Sequence, residues 1–263
     1  MRHLIGIAAC VTSLGAHAYD IPNEHAAFVP APEDVRGAPL PDPRAFDAIR
    51  QTGNAWLPPP AGDASLAMLA AARVGDWAAV SELLKSGANP NVRDTARRGG
   101  VLAMAAADGQ AEVVRTLLVA GADPDQRGEA GFTPLGAAAL RGHERVVKQL
   151  LRHGADPDRK SADGAPPLVN AARLGHARIV DALLVAGADP TRADKHGHHA
   201  LSMAAARGDV AMVRQVLAHG MHVDARDGEG RTAFFWAGLY GRQAVSEILL
   251  AAGADPTATV IVK

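Results

Sequence analysis

Three histidines within four residues are the part of this sequence best suited to chemistry. His196, His198 and His199 stand together, and imidazole nitrogens bind zinc, copper and nickel ions. A metal site needs three or four converging donors, however, and no cysteine or carboxylate at a recognisable spacing completes this set. We therefore interpret the segment as a polar loop and predict no metal and no cofactor. A carrier of a metal ion or another small ligand is kept as an alternative function.

The sequence contains no residue pattern that is typical of an enzyme. It has no G-x-S-x-G nucleophile elbow, no glycine-rich phosphate loop and no H-E-x-x-H helix. Cys10 is its only cysteine, and it lies in an amino-terminal segment that we expect to be removed. Many of the aspartates recur at one place in a repeated turn, where a short acidic side chain supports the turn. We therefore predict that the protein is not an enzyme.

Regularly spaced glycines show how the chain is organised. One glycine opens a short signature, most often G-A-D, at intervals of 34, 33, 33, 33 and 33 residues: Gly87, Gly121, Gly154, Gly187, Gly220 and Gly253. A second glycine precedes each of these by twelve residues. A fixed period of this length is the signature of a solenoid. It predicts six repeats, at about 63–94, 95–127, 128–160, 161–193, 194–226 and 227–259.

The third repeat shows why each unit should form two short helices. Thr133 can accept a hydrogen bond as the N-cap, and Pro134 suits the first helical position. We expect this helix to end before Gly142 and a second helix to follow from His143 to Arg152. Gly154 then suits a left-handed C-cap. Because only 4% of the residues are aromatic, leucine and alanine are expected to fill the core.

The pattern of the third repeat resembles that of a known family. From Gly131 to Asp156 the chain follows G-x-T-P-L-x-x-A-A-x-x-G-H-x-x-V-V-x-x-L-L-x-x-G-A-D, which is similar to the ankyrin repeat. The resemblance covers 63–259 and implies an all-α ankyrin-repeat solenoid of stacked helix pairs with projecting β-turn loops. The family has a buried histidine after Pro-Leu that links neighbouring repeats, so its loss here implies weaker links. That position holds Gly136, Val169, Ser202 and Phe235.

The amino terminus differs from the repeats. Residues 1–18 have a short basic start, an apolar stretch from Leu4 to Gly15 and an A-x-A sequence that ends at Ala18. This arrangement is typical of a secretory signal peptide, and the apolar stretch is too short to span a bilayer. A lipoprotein signal around Cys10 is the alternative. We therefore predict cleavage near Ala18 and a periplasmic or secreted mature protein.

Residues 19–62 form a second segment outside the repeats, and it is rich in proline. It holds nine of the 17 prolines, with six acidic residues against three basic ones. Such a composition predicts an extended segment without a core of its own. We interpret it as a linker, and two alternatives stay open: it docks on a partner, or it folds back on the repeats as an inhibitory ligand. A short tail, 260–263, follows the last repeat.

The resemblance also implies that one face, formed by the first helices and the projecting loops, binds protein partners. At the corresponding positions this chain carries eleven basic residues: Arg73, Arg97, Arg98, Arg127, Arg141, Lys160, Arg173, Lys195, Arg207, Arg226 and Arg231. It carries four acidic residues there: Asp108, Glu129, Asp163 and Glu229. The same face is expected to offer four apolar or stacking contacts: Phe132, His196, His198 and Tyr240.

This sorting of charge predicts the kind of partner. The chain as a whole has a net charge of −1, so it has no bulk attraction for nucleic acid, whereas the mapped face is basic. Complementary charge steers association and sets specificity. We therefore predict a monomeric, non-catalytic scaffold that binds an acidic surface or segment of a protein, without stable membrane insertion of the mature chain. Solvation of a polar surface would explain the same charges, and a secreted effector that binds host proteins is a further alternative.

Overall fold

A computed structural model describes residues 64–93, 99–128 and 131–258. The predicted signal peptide, the proline-rich segment 19–62 and the tail 260–263 lie outside the described residues. Within the described ranges the regular structure is helical, apart from one isolated bridge between Arg93 and Gly100. The prediction of an all-α fold is therefore confirmed.

Twelve described helices form six consecutive pairs. The pairs are α1 (Ala64–Val74) with α2 (Trp77–Lys85), α3 (Val101–Ala107) with α4 (Ala111–Val119), α5 (Pro134–Arg141) with α6 (Glu144–Arg152), α7 (Pro167–Leu174) with α8 (Ala177–Val185), α9 (Ala200–Arg207) with α10 (Val210–Ala218), and α11 (Ala233–Leu239) with α12 (Gln243–Ala251). The first helix of each pair packs on the first helix of the next pair, and the second helices pack on one another in the same way. The result is a solenoid. None of the helices in the described ranges has the length and apolar character needed to cross a membrane.

Local signals set the helix ends in the third repeat as the sequence predicts. Thr133 Oγ1 accepts a hydrogen bond from Gly136 N at 3.0 Å, and Pro134 lies at the start of α5. Gly142 then ends α5 with a φ of +80°, a conformation that a side chain with a Cβ would make costly. One detail differs: α6 begins one residue later than predicted, because His143 takes the N-cap position.

The core consists of leucine and alanine at matching positions of successive repeats. Leu135 and Leu168 are fully buried between helix pairs. Ala138 and Ala171, three residues farther along the same helices, are also fully buried. Because alanine is small, the first helices can approach closely, and each repeat contributes to a continuous core that none would have alone.

Histidines at the start of the second helices tie each unit to the one before it. His143 Nε2 donates to the carbonyl oxygen of Ala107 at 2.9 Å, and His176 Nε2 to that of Leu140 at 3.3 Å. Nε2 is the protonated nitrogen, since a carbonyl only accepts. Burial lowers the pKa of His176, so this ring is neutral at pH 7. The prediction that these histidines are structural is confirmed.

Arginines make the same kind of link in later repeats. Arg207 Nη1 donates to the carbonyl of Arg173 at 3.1 Å, and Arg242 Nε to that of Ala206 at 3.0 Å. These carbonyls lie at the carboxyl ends of first helices, where the backbone acceptors lack helical partners. Side chains from the next repeat therefore supply links that the absent family histidine does not.

The aspartates of the repeated turns form a second set of links. Asp158 accepts a hydrogen bond from the backbone N–H of Asp189 in the next repeat at 3.0 Å. The equivalent bonds are from Asp156 N to Asp125 at 3.2 Å and from Asp255 N to Asp224 at 3.0 Å. Within each turn a second aspartate accepts from the residue two positions on, as Asp156 does from Asp158 N at 2.9 Å. These acids are turn formers, as predicted.

Candidate functional site

The predicted binding residues lie along one surface, which we call the loop–helix face. It consists of the loops that precede the first helices and the carboxyl ends of those helices. Loop and helix belong to one surface because Arg173, near the end of α7, contacts Asp194 in the following loop at 2.9 Å. Arg97, Arg98 and Glu129 lie outside the described residues, so the structure does not place them.

Basic side chains of the loops are exposed and also join one loop to the next. Arg127 Nη2 donates to the carbonyl of Lys160 at 2.8 Å, and Lys160 Nζ donates to that of Ala193 at 2.6 Å. Lys195 and Arg226 are likewise exposed. Each guanidinium or ammonium group has more donors than these bonds use. The loops therefore present a row of cations to solvent, which we call the loop cations: Arg127, Lys160, Lys195 and Arg226.

Basic residues near the ends of the first helices are less accessible. Arg73, Arg141, Arg173 and Arg207 are all partly buried. The contacts of Arg173 and Arg207 described above use some of their donors within the fold. These four residues therefore contribute charge to the face, while the loop cations supply the fully accessible groups.

A buried carboxylate organises the loop before α9. Asp194 Oδ1 accepts from the backbone N–H groups of His196 and His198, both at 2.9 Å. Its Oδ2 accepts from Arg173 Nη2 at 2.9 Å and from His198 Nδ1 at 3.2 Å. Burial acts to raise the pKa of Asp194, but the bonds and charge of His198 and the two backbone donors outweigh it and lower the pKa to about 2. The carboxylate is therefore ionised at neutral pH.

The next repeat repeats this arrangement around Asp227. Its Oδ1 accepts from the backbone N–H of Glu229 and of Arg231, both at 2.9 Å. Its Oδ2 accepts from Arg231 Nε at 2.9 Å and from Trp236 Nε1 at 3.1 Å. The Arg231 guanidinium carbon also lies 4.3 Å from the centre of a Trp236 ring, a distance at which a cation is attracted by the ring face. Arg231, a predicted binding residue, is thus bound closely to its own repeat.

Four rings form a continuous row across the fifth and sixth repeats. The centroids are 5.8 Å apart for His196 and His198, 5.6 Å for His198 and Trp236, and 6.2 Å for Trp236 and Tyr240. The Trp236 and Tyr240 rings are stacked with an interplanar angle of 11°. We call these four residues the aromatic row. His196, at one end, is exposed, and Tyr240, at the other, is partly buried.

Two of the predicted contact residues are buried in the fold. Phe132 is only 8% exposed and packs with Ala107, Ala137 and Leu140. His198 is 9% exposed, and its Nδ1 donates to Asp194, since a carboxylate only accepts. The structure therefore places Phe132 and His198 beneath the accessible surface, while His196, Lys195, Lys160, Arg127 and part of Tyr240 lie on it.

The histidine-rich loop does not gather ligands for a metal ion. In the ranges that the structure describes, no group of three or more His, Cys, Asp or Glu side chains is arranged to hold one. His199 points to the same conclusion, because burial lowers the pKa of its ring within the base of the loop. The alternative of a metal carrier gains no specific support from this geometry.

Asn170 is a residue that the sequence analysis missed. It lies on α7, is fully buried, and neither Oδ1 nor Nδ2 has a hydrogen-bond partner among the described residues. In the neighbouring repeats the same position holds Ala137, Met203 and Trp236. An alignment of the repeats would have revealed the one amide among these apolar and aromatic residues.

Replacing Asn170 with methionine, the residue of the next repeat, is expected to stabilise the protein by about 1 kcal/mol, because a buried amide without partners loses its hydration. Urea unfolding of both proteins would measure the difference. A matched change, Met203→Asn, should cost about 1 to 3 kcal/mol for the same reason. Destabilisation by Asn170→Met would show that the amide has a partner in solution.

Comparison with known proteins agrees with the repeat architecture. A family model described as ankyrin repeats, in three copies, matches residues 67–161 and 168–260. The two ranges make up more than half of the chain and overlap all twelve described helices. No curated protein was found to match the chain.

Proposed function

Because the chain belongs to the ankyrin repeat family, whose members generally bind proteins, we propose that it is a non-catalytic interaction module for an acidic segment of a protein partner. The observation that carries this proposal is the row of loop cations. Arg127, Lys160 and Arg226 occupy equivalent positions in their repeats, and Lys195 lies two residues beyond that position in the fifth repeat. An extended acidic segment could contact several of them at once.

Acidic groups on the same face do not cancel this charge. Asp163 uses Oδ1 to accept from Ala165 N at 3.0 Å, and Glu229 contacts Arg231 at 2.6 Å. The buried Asp194 and Asp227 are already matched by Arg173 and Arg231. The accessible charge of the loops is therefore mainly positive, which favours an acidic partner.

The second helices carry a different kind of charge. Arg115 pairs with Glu112 at 3.1 Å, and Glu144 pairs with Lys148 on its own helix and with Arg178 of the next repeat at 3.7 Å. Opposite charges alternate there, and exposed pairs of this kind contribute little to stability or steering. The contrast between the two faces supports the loop–helix face as the binding surface.

We also propose that the partner is met outside the cytoplasm. Residues 1–18 have the pattern of a signal peptide, and the repeats contain no cysteine, so oxidising conditions would not alter them. The expected mature chain begins at Tyr19. Mass spectrometry of the protein recovered from the cells that make it tests this, and an intact chain beginning at Met1 would contradict export.

Reversal of two loop cations is expected to abolish partner binding. The variant Lys195→Glu with Arg226→Glu would face an acidic segment with like charge, which should weaken binding by about tenfold or more. The matched control, Arg145→Glu with Arg178→Glu, makes the same change in net charge on the second helices. There the two arginine side chains are 83% and 86% exposed.

The measurement is affinity capture from an extract of the source cells with the three proteins in parallel. We expect at least one protein to be retained by the native chain and the control but not by the loop variant. Retention should also fall between about 0.1 M and about 1 M salt, since screening shortens the reach of exposed charges. Equal capture by all three proteins would contradict a binding role for the loop cations.

A further inference from the structure

We propose that the aromatic row binds the proline-rich segment 19–62 of the same chain in an extended conformation. This goes beyond the proposed function, because it requires no outside partner. It develops the possibility, left open by the sequence, that the segment folds back on the repeats. Three observations carry it: the geometry of the row, the apolar surface beside it and the composition of the segment.

The row is the main aromatic surface of the repeats. Of the ten Phe, Trp and Tyr residues in the chain, four lie between Phe234 and Tyr240. Trp236 holds the row together, with His198 edge-on at one side and Tyr240 stacked on the other. Proline-rich extended segments dock on surfaces lined with aromatic rings, because the proline rings pack flat against them and lose little entropy on binding.

An apolar surface extends from the row onto the last helix pair. The helix α11 contains no charged residue, and Leu239 is 49% exposed. Phe234 is partly buried, whereas Leu201, at the same position in the fifth repeat, is 1% exposed because another helix pair covers it. Terminal repeats usually present a polar outer surface. No further helix pair in the described ranges covers this one, so it is suited to an apolar ligand.

The segment 19–62 has the chemistry that this surface would accept. It contains P-x-P sequences at Pro30 to Pro32 and at Pro39 to Pro43, and it has six acidic residues against three basic ones. Lys195 is exposed beside His196 at one end of the row. The prolines therefore match the rings, and the excess negative charge matches the loop cations.

The segment is long enough to reach the row. Neighbouring helices pack about 8 to 10 Å apart, so the five steps from the first helix pair to the sixth span about 50 Å. An extended segment advances about 3.1 Å per residue, and residues 19–62 precede the first helix directly. About 20 residues would therefore bridge the distance, which leaves the remainder free to contact the row.

A spin label tests the contact in the full-length mature chain. Cys10 is the only native cysteine, so Ala38→Cys provides one site for a nitroxide when Cys10 is cleaved off or changed to serine. The readout is the loss of intensity of the tryptophan indole N–H signals. We expect Trp236 to lose more than half of its intensity and Trp77, in the first repeat, to lose less.

A segment that does not dock would give the opposite order. A flexible chain of 25 residues has an average end-to-end distance of about 28 Å, which keeps the label closer to the first repeat than to the sixth. Stronger loss at Trp77 than at Trp236 would therefore overturn the proposal. His196→Ala with Tyr240→Ala removes the two accessible ends of the row and should restore the Trp236 signal. Persistent broadening in that variant, with its helical circular dichroism unchanged, would also overturn it.

A mixing experiment separates binding within one chain from binding between chains. A nitroxide-labelled chain without isotope is mixed with an isotope-labelled chain that carries no nitroxide. Binding within one chain leaves the Trp236 signal of the mixture at full intensity, as we expect. Loss of that signal in the mixture would assign the row to a second copy of the chain and overturn the proposal.

Discussion

Replacement of Asp194 with alanine is expected to lower the free energy of unfolding by about 3 kcal/mol, because two backbone N–H groups, Arg173 and His198 would lose a shared acceptor. The side chain of Asp194 is only 3% exposed, so water replaces these bonds poorly. Urea unfolding measures the change. The exposed Asp181, which contacts Gln215 at 2.7 Å, provides the control, and Asp181→Ala should cost less than about 1 kcal/mol.

The contribution of Asp194 also depends on pH. Its pKa is about 2 in the folded protein, below the ordinary value of 3.8. A carboxylate whose pKa is depressed by folding stabilises the protein above its unfolded pKa, and that stabilisation is lost as the pH falls through its folded pKa. About 2 kcal/mol should therefore disappear between pH 4 and pH 2 in the native protein. The Asp194→Ala variant should lack this component, and equal acid sensitivity of the two proteins would contradict the assignment.

Replacement of Gly197 with alanine is expected to cost about 3 kcal/mol or more. Gly197 has a φ of +79°, and a Cβ there would lie 2.2 Å from the backbone nitrogen of Gly228 in the next loop. Backbone atoms cannot move aside as a flexible side chain can. The two loops are also joined by a hydrogen bond from Gly228 N to the carbonyl of His196 at 3.0 Å. The substitution should therefore separate the fifth and sixth loops as well as strain one residue.

Gly187 provides the matched control for this effect. Its φ is +89°, and a Cβ there would meet no atom within 4 Å. Gly187→Ala therefore tests the backbone conformation alone, which costs about 1 kcal/mol. Unfolding of the two variants in urea would measure the difference between them. Equal costs would show that the loops separate without loss of stability and that the close approach of Gly197 to Gly228 is unimportant.

The sequence predicted most of the fold because the signals for it are local. Thr133 and Pro134 start a helix through their own backbone contacts, and Gly142 ends it through its own conformation. Repetition of these signals six times predicts the helix pairs, and the spacing of leucine and alanine predicts how they stack. The repeat family followed from the same residues.

The details of the binding face were not predictable in this way. His196 and His198 occur in the same loop, and nothing in the local sequence distinguishes them, yet one is exposed and the other is buried against Trp236. Arg173 was assigned to partner binding, and its contact with Asp194 comes from a loop 21 residues away. The sequence analysis treated charge as a property of each residue, whereas the fold pairs some charges and leaves others accessible.

The sequence by itself therefore determined the repeat, its helices and the excess of basic residues on one face. Only the tertiary structure decided which of these residues are accessible, that Asn170 is buried without a partner, and that four rings meet in a row. The physical reason is distance along the chain. Helix caps and turns depend on neighbours within about four residues, whereas burial and pairing on the loop–helix face depend on side chains from the next repeat, as with His198 and Trp236.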